Sequence, residues 1–257
     1  MHQGAVVPVP GDGRYAYSMW QEGNVMRVDL ETGSSPMIKP VHPEGEKLRF
    51  NWNAAIAADP LNNEGVYFGT QFVHHSADRG ESWTILSPDL TSPDSLKLQQ
   101  SVTSGGLTPD VTGAENHHTL LCIAPSPAKS GVIWAGTDDG NVHITQNNGE
   151  VWDNCIDRMK GAPKGAWIPQ IEPSRNHPGE AFVVVNDYRR NNWEPYLYHT
   201  TDYGRKWTRI IDASDVNGHV LCMVQDPVEP RLLFAGTENG LYVSFDYGAS
   251  WNHWTHD

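Results

Sequence analysis

One short segment recurs four times along the chain, and this repetition constrains the fold more than any other feature. Its pattern is Ser/Thr-x-Asp-x-Gly-x-x-Trp, and the copies begin at residues 76, 145, 200 and 244. We call it the repeated turn. Its hydroxyl and carboxylate suit acceptance of main-chain N–H groups, its Gly suits a positive φ, and its Trp packs beside the next strand. The pattern residues are Ser76, Asp78, Gly80, Trp83, Thr145, Asn147, Gly149, Trp152, Thr200, Asp202, Gly204, Trp207, Ser244, Asp246, Gly248 and Trp251.

Asn147 stands where the other three copies have Asp. Its amide oxygen also accepts a hydrogen bond, but without the negative charge that strengthens such a bond. We therefore expect the second copy to form the same turn with a weaker hydrogen bond.

The similarity extends upstream of each copy, so the repeated unit is larger than a turn. Apolar stretches ending in Gly-Thr occupy residues 65–70, 131–137 and 231–237, and each follows another apolar stretch. Four short antiparallel strands in each unit are typical of a β-propeller blade. A further unit lies at the start of the chain, with a hairpin turn at 29–33 and a fourth strand at 36–41.

The predicted fold is all-β, a β-propeller of about five blades with four antiparallel strands each, and four of the blades carry the repeated turn. Residues 1–257 are expected to form a single propeller domain or a fragment of one. A closed five-bladed ring and an arc of a larger ring both agree with the sequence. The predicted blades lie at approximately 1–45, 46–90, 115–160, 164–212 and 213–257, with a long insertion at 87–114.

Composition excludes two classes of partner. The chain has 31 acidic against 18 Lys and Arg residues, a net charge of −13, which disfavours binding to a phosphate backbone. No apolar stretch approaches the ~20 residues that span a bilayer, so we expect no membrane span. The first residues do not resemble a signal peptide, so any export signal is missing or was removed. Cys122 and Cys222 occupy equivalent first-strand positions and are expected to be small core residues.

The repeat resembles that of the Asp-box, or bacterial neuraminidase repeat (BNR), propellers, and within them the sortilin-type, glycosyl-hydrolase-like proteins. The closer likeness lies in the segments 48–53, 86–91, 135–140, 195–197 and 233–240. Members of that group are longer, exported proteins. The resemblance therefore implies a secreted or periplasmic location and further propeller blades as neighbours of this chain.

The resemblance implies two functions from different classes. The first is a non-catalytic recognition module that binds a glycan or a peptide, and this is the interpretation we favour. The second is a glycoside hydrolase, xyloglucanase-like or sialidase-like. Glycoside hydrolysis needs two carboxyl groups flanking the bond that is cleaved. The candidates on the expected ligand face are Asp138, Asp139, Asp187 and Glu238. The alternative for 138–139 and for Glu238 is that they belong to tight hairpin turns, where acidic residues are common.

Candidate ligand-binding residues cluster in the loop 187–194, which is longer than its counterparts. Arginine forks and aromatic faces suit carboxylated or hydroxylated ligands. A sialidase would need three converging arginines, but Arg189 and Arg190 are adjacent and expected to diverge, and we find no third. No cofactor motif is present and no metal site is predicted. The candidates are Tyr188, Arg189, Arg190, Trp193 and Glu194, with His117, His118 and His219 from blade junctions.

Overall fold

Short strands joined by turns and loops build the sheets of the described chain. The structure is a computed structural model, which describes residues 5–92, 94–103 and 116–255. The strands are β1 Val6–Pro8, β2 Tyr15–Trp20, β3 Asn24–Asp29, β4 Ile56–Ala58, β5 Val66–Gly69, β6 Val73–Ser76, β7 Thr84–Ile85, β8 Leu120–Pro125, β9 Ile133–Thr137, β10 Val142–Thr145, β11 Asp153–Asn154, β12 Trp167–Pro173, β13 Ala181–Asp187, β14 Asn192–Thr200, β15 Thr208–Ile211, β16 Val220–Gln225, β17 Leu233–Thr237, β18 Gly240–Ser244 and β19 Asn252–His253.

These strands form five antiparallel sheets, each with its strands in sequence order, and the sheets are the blades of a β-propeller. The prediction of the fold is confirmed. Four sheets have four strands: β4–β7, β8–β11, β12–β15 and β16–β19. The first has three, β1–β3. Its predicted fourth strand at 36–41 was too long, because only Met37 forms a β-bridge to Met26 there.

The segment predicted as a long insertion, 87–114, contains a helix, α1 Ser95–Thr103. Residues 93 and 104–114 of the insertion lie outside the described residues. Two short 3₁₀ helices, Ile156–Arg158 and Tyr188–Arg190, complete the helical content of the described ranges. No helix of the described chain is long and apolar enough to cross a membrane.

The repeated turn is held by side-chain to main-chain hydrogen bonds. In the first copy the hydroxyl of Ser76 accepts the N–H of Gly80 at 2.7 Å, and Asp78 accepts the N–H of Ser82 at 2.9 Å. The second copy keeps both bonds, because Asn147 accepts the N–H of Val151 at 3.0 Å through its amide oxygen. The turn geometry therefore survives the exchange of Asp for Asn.

The glycine of each repeated turn is required for two reasons: its φ is positive, and it lies in close contact with the preceding blade. Gly149 has a φ of +94°, and a Cβ built on it would lie 2.3 Å from the main-chain oxygen of Leu86 in the preceding blade. The residue before each of these glycines also has a positive φ, as Asn148 does at +57°. The turn is thus a consecutive left-handed pair pressed against the neighbouring sheet, and the sequence pattern indicated only the glycine.

The hydrophobic core lies between consecutive blades. One cluster joins the second and third blades and another joins the third and fourth, where Trp134 is fully buried against β12 to β14. Two similar clusters fill the remaining junctions between consecutive blades. The tryptophans of the repeated turns sit at the outer end of these clusters and are all partly exposed.

The prediction for one cysteine was wrong. Cys122 is half-buried and contacts β12, but Cys222 is exposed. The two residues occupy the same strand position, so the difference lies in their surroundings. The fourth blade packs against the face of the third blade that carries Cys122. No blade among the described residues packs against the corresponding face of the fifth blade, which carries Cys222.

Candidate functional site

The candidate residues lie on one rim of the propeller, which we call the loop face. It comprises the connections between second and third strands and those between blades, at 116–119, 137–141, 160–166, 187–195, 213–219 and 237–240. Two clefts open there, one at each of the last two blade junctions. The hairpin and junction geometry thus gathers polar side chains that are distant in sequence.

A histidine–aspartate pair lies beside the first cleft. His118, which is 2% exposed, places Nδ1 2.9 Å from Oδ2 of Asp139. The same carboxylate accepts the N–H of Ser92 at 2.6 Å and the amide of Asn141 at 2.8 Å. Burial by itself raises the pKa of Asp139, but the hydrogen bonds from His118 and Thr137 outweigh it and hold the pKa below its ordinary value.

The pKa of the neighbouring carboxyl group, Asp138, is shifted in the opposite direction. Asp138 is 6% exposed, and among the described residues its two carboxylate oxygens accept hydrogen bonds only from Thr119, from N at 2.9 Å and from Oγ1 at 3.2 Å. Burial raises the pKa of Asp138 to about 7, and the charge of Asp139 adds to the effect. Adjacent residues therefore provide one carboxyl group that is readily protonated and one that stays ionised.

The first cleft, which we call the Asp139 cleft, encloses about 400 Å³ between the third and fourth blades. Its wall carries both acidic and basic side chains. The polar lining residues are Ser92, Asp139, Asn141, Asp157, Lys160 and Lys164.

The loop 187–194 is fixed by its own contacts. Asp187 is buried and forms an ion pair with Arg190 at 2.5 Å, while Asn192 donates to its other oxygen at 3.2 Å. The guanidinium of Arg189 instead lies 3.4 Å from the ring centroid of Trp167. The two arginines diverge, so they do not form a shared clamp for one carboxylate.

Three rings pack together beyond this loop. Tyr188 lies 4.8 Å from His219 and 6.0 Å from Trp193 between ring centroids, and Trp193 meets His219 at 5.5 Å in an edge-on contact. Nδ1 of His219 is 3.6 Å from Oε2 of Glu238. This cluster holds Trp193 at the mouth of the second cleft.

The second cleft, which we call the junction cleft, encloses about 530 Å³ between the fourth and fifth blades. Trp193 is 49% exposed on its wall. Three carboxylates and several amides face the same space. Its lining includes Asn191, Asn192, Glu194, Asp215, Asn217 and Glu238.

The candidate carboxyl groups are distributed over different places. Asp139 lines the Asp139 cleft and Glu238 lines the junction cleft, whereas Asp138 and Asp187 line neither. His117 is half-buried, and burial lowers its pKa to about 4. The structure brings Tyr188, Trp193, His219 and Glu238 together at one junction.

Two lining residues, Asp215 and Asn217, were missed by the sequence analysis. Both lie in the segment 212–218, which connects the fourth and fifth blades. Its Asp, Ser, Asn and Gly content indicates a loop. That content gives no information on which cleft the loop borders.

No protein-family model and no curated protein matches this sequence. Solved structures do match. An ancestral GH74 enzyme aligns with a TM-score of 0.58 and 16% identity over 84% of this chain and 25% of its own. The GH74 xyloglucanase from Xanthomonas campestris aligns with a TM-score of 0.65 and 18% identity over 98% of this chain and 38% of its own.

These similarities support the propeller fold alone. Sequence identity below one-fifth carries no residue roles from those enzymes to this chain. The chain spans between about a quarter and two-fifths of their length.

Proposed function

We propose that this chain is a carbohydrate-recognition propeller that binds a neutral, hydroxyl-rich glycan in the junction cleft. The observation that carries the proposal is Trp193, a half-exposed indole held on the wall of a cleft with three carboxylates. A flat aromatic surface suits the apolar face of a sugar ring. Carboxylate and amide oxygens suit its hydroxyl groups, which donate hydrogen bonds.

The charge of the cleft favours a neutral glycan over an acidic one. Glu194, Asp215 and Glu238 would repel a carboxylated sugar. The nearby arginines already have partners: Arg190 pairs with Asp187, and Arg209 pairs with Glu194 at 3.6 Å and donates to Pro195 at 2.6 Å. This distribution disfavours a sialic acid ligand.

The test is a screen of the chain against arrays of neutral glycans, sialylated glycans and peptides. We expect neutral glycans to bind, and Trp193→Ala to abolish their signal. Trp254→Ala is the matched control, because Trp254 is 46% exposed and lies outside the cleft. Binding confined to peptides or sialylated glycans contradicts the proposal.

Glycoside hydrolysis is the second candidate, and one observation favours it. Asp138 and Asp139 are neighbouring carboxyl groups whose environments move their pKa values apart, as an acid–base pair requires. The burial of Asp138 and its two contacts to Thr119 argue against it, because a general acid must reach the bond that is cleaved. Release of reducing sugar from xyloglucan that is lost in Asp138→Asn would support hydrolysis.

The repeated turn also supports two further proposals, one about the family of the chain and one about its location. We infer from it that the chain is related to Asp-box propellers of the sortilin type and that its parent protein is exported. Fractionation of cells that produce the parent protein tests the location, and recovery from the cytoplasm alone contradicts it.

A further inference from the structure

A third cleft, which we call the His74 cleft, opens between the first and second blades and encloses about 690 Å³. It lies beside the repeated turn of the second blade, on the rim opposite the loop face. One wall is the segment 37–43, which follows the first sheet where the other blades have a fourth strand. A mainly apolar cleft of this size is in the range of small-molecule sites. Its apolar lining residues are Met37, Ile38, Val41, Pro43, Trp83 and Ile85.

The third strand of each blade with a repeated turn carries a ring two residues before the Ser or Thr of that turn. These rings belong to His74, His143, Tyr198 and Tyr242. Three of them form a hydrogen bond to the main chain of the segment that follows the preceding blade. Nε2 of His143 lies 2.8 Å from the oxygen of Leu90, and Tyr198 donates to the oxygen of Lys160 at 3.1 Å. Tyr242 accepts the N–H of Asn217 at 3.0 Å.

His74 differs from the other three rings. It is fully buried, its Nε2 lies 3.0 Å from Oγ1 of Thr70 in its own blade, and its Nδ1 has no hydrogen-bond partner among the described residues. The segment 37–43 therefore does not supply the main-chain partner that the equivalent rings have.

The contacts of Thr70 identify the tautomer of His74. The hydroxyl of Thr70 accepts the N–H of Phe72 at 3.0 Å, and its own proton has two acceptors in reach, Nε2 of His74 at 3.0 Å and the oxygen of Phe72 at 3.5 Å. The shorter contact takes the proton, so Nε2 accepts and Nδ1 carries the ring hydrogen. Burial lowers the pKa of His74 to about 4, so the ring is neutral at pH 7.

The charged side chains of the cleft already have partners. Nζ of Lys39 donates to the oxygen of Glu22 at 2.6 Å, and Glu81 forms an ion pair with Arg27 at 2.8 Å. A charged ligand would lose hydration in this cleft without gaining a free counter-ion. The lining therefore favours a neutral molecule.

We propose that the His74 cleft binds a neutral, largely apolar small molecule whose carbonyl oxygen accepts the N–H at Nδ1 of His74. This oxygen takes the role that the main-chain oxygens of Leu90 and Lys160 have in the next two blades. Because His74 is fully buried, the ligand reaches it by displacing a lining side chain. Met37 borders the cleft, is 50% exposed and is unbranched, which suits it to move. The site is separate from the junction cleft, so neither proposal depends on the other.

The test is a fluorescence titration at pH 7 with prodan, a neutral naphthalene dye that carries one ketone. A matched analogue has a methylene group in place of the ketone, and displacement of prodan measures its affinity. We expect saturable binding of prodan to the original chain and about tenfold weaker binding of the analogue, because the analogue cannot accept the N–H of His74. His74→Phe keeps a ring but loses this donor, so it should bind the two compounds with equal affinity.

Two substitutions at exposed, equivalent positions locate the dye. Thr84 lines the cleft and follows Trp83, and Thr208 follows Trp207 in the fourth blade. Thr84→Trp should fill the cleft and weaken prodan binding at least about tenfold, whereas Thr208→Trp should leave it unchanged.

Four results would overturn the proposal. They are no saturable binding of prodan, equal affinity of the original chain for prodan and its analogue, the same discrimination in His74→Phe as in the original chain, and full prodan binding by Thr84→Trp. The first two use the original chain and the last uses an exposed position, so the test does not depend on the folding of His74→Phe.

Discussion

The indole N–H of Trp152 donates to the main-chain oxygen of Leu86 at 2.9 Å, across the boundary between two blades. Trp83 and Trp251 make the same bond to their preceding blades at 2.8 Å. Trp207 is the exception, because its Nε1 is buried with no hydrogen-bond partner in the part of the chain that the structure describes, and its ring packs edge-on against Trp134. The repeated turn thus joins blades in two ways, by a hydrogen bond or by aromatic packing alone.

This difference predicts unequal effects of the same substitution. Trp152→Phe loses the hydrogen bond and leaves the oxygen of Leu86 without this donor, whereas Trp207→Phe loses only ring area. We expect Trp152→Phe to lower the free energy of unfolding by about 1 kcal/mol more than Trp207→Phe does. Urea unfolding of both variants at pH 7 measures the difference. Equal losses would mean that the bond to Leu86 adds no stability.

The glycines of the repeated turns predict a second difference. Gly149 and Gly33 both have positive φ, at +94° and +73°, but a Cβ on Gly33 would meet nothing within 4 Å. We expect Gly33→Ala to cost about 1 kcal/mol from the backbone alone, and Gly149→Ala to cost at least about 2 kcal/mol more because it displaces Leu86. Thermal unfolding compares the two. Similar melting temperatures would refute the tight contact between blades.

The raised pKa of Asp138 predicts a dependence of stability on pH. Between pH of about 4 and about 7 the folded chain retains a proton on Asp138 that the unfolded chain has released. The unfolded chain then binds fewer protons, so this group makes the folded state less stable as pH rises through that window. Asn mimics the protonated carboxyl group at every pH.

We therefore expect Asp138→Asn to gain stability over the original chain as pH rises from 5 to 8, by about 2 to 4 kcal/mol. Urea unfolding of both proteins at the two pH values measures this change. The other titratable groups are the same in both proteins and cancel in the difference. A difference that stays constant with pH would show that the carboxyl group is ionised throughout.

Much of the fold was predictable because its determinants are local. The repeated turn, the Gly-Thr strand ends and alternating apolar residues each act within a few neighbours. The positive φ of Asn148 was not predictable in the same way, since the four copies hold Arg, Asn, Tyr and Tyr at that position and none of these residue types requires a positive φ. The fit of Gly149 against Leu86 depends on a contact between residues that are distant in sequence.

The candidate site also combines residues that could be predicted from the sequence with residues that could not. Trp193, Glu194 and Glu238 were placed on the ligand face because they follow the second strand of a blade. Asp215 was not, because its place in the cleft depends on how the fourth and fifth blades dock. The burial of Asp138 was equally hidden, since Asp139 has the same sequence surroundings and a different environment.

In the proposed function, Trp193 and the acidic wall of the junction cleft bind a neutral glycan. Isothermal titration of the chain with neutral β-linked glucan oligosaccharides measures this binding, with sialyllactose as the acidic comparison. We predict saturable binding of the neutral oligosaccharide, a loss of at least about tenfold in affinity in Trp193→Ala, and unchanged affinity in Trp254→Ala. Equal affinity in the original chain and Trp193→Ala, or preferential binding of sialyllactose, would contradict the claim.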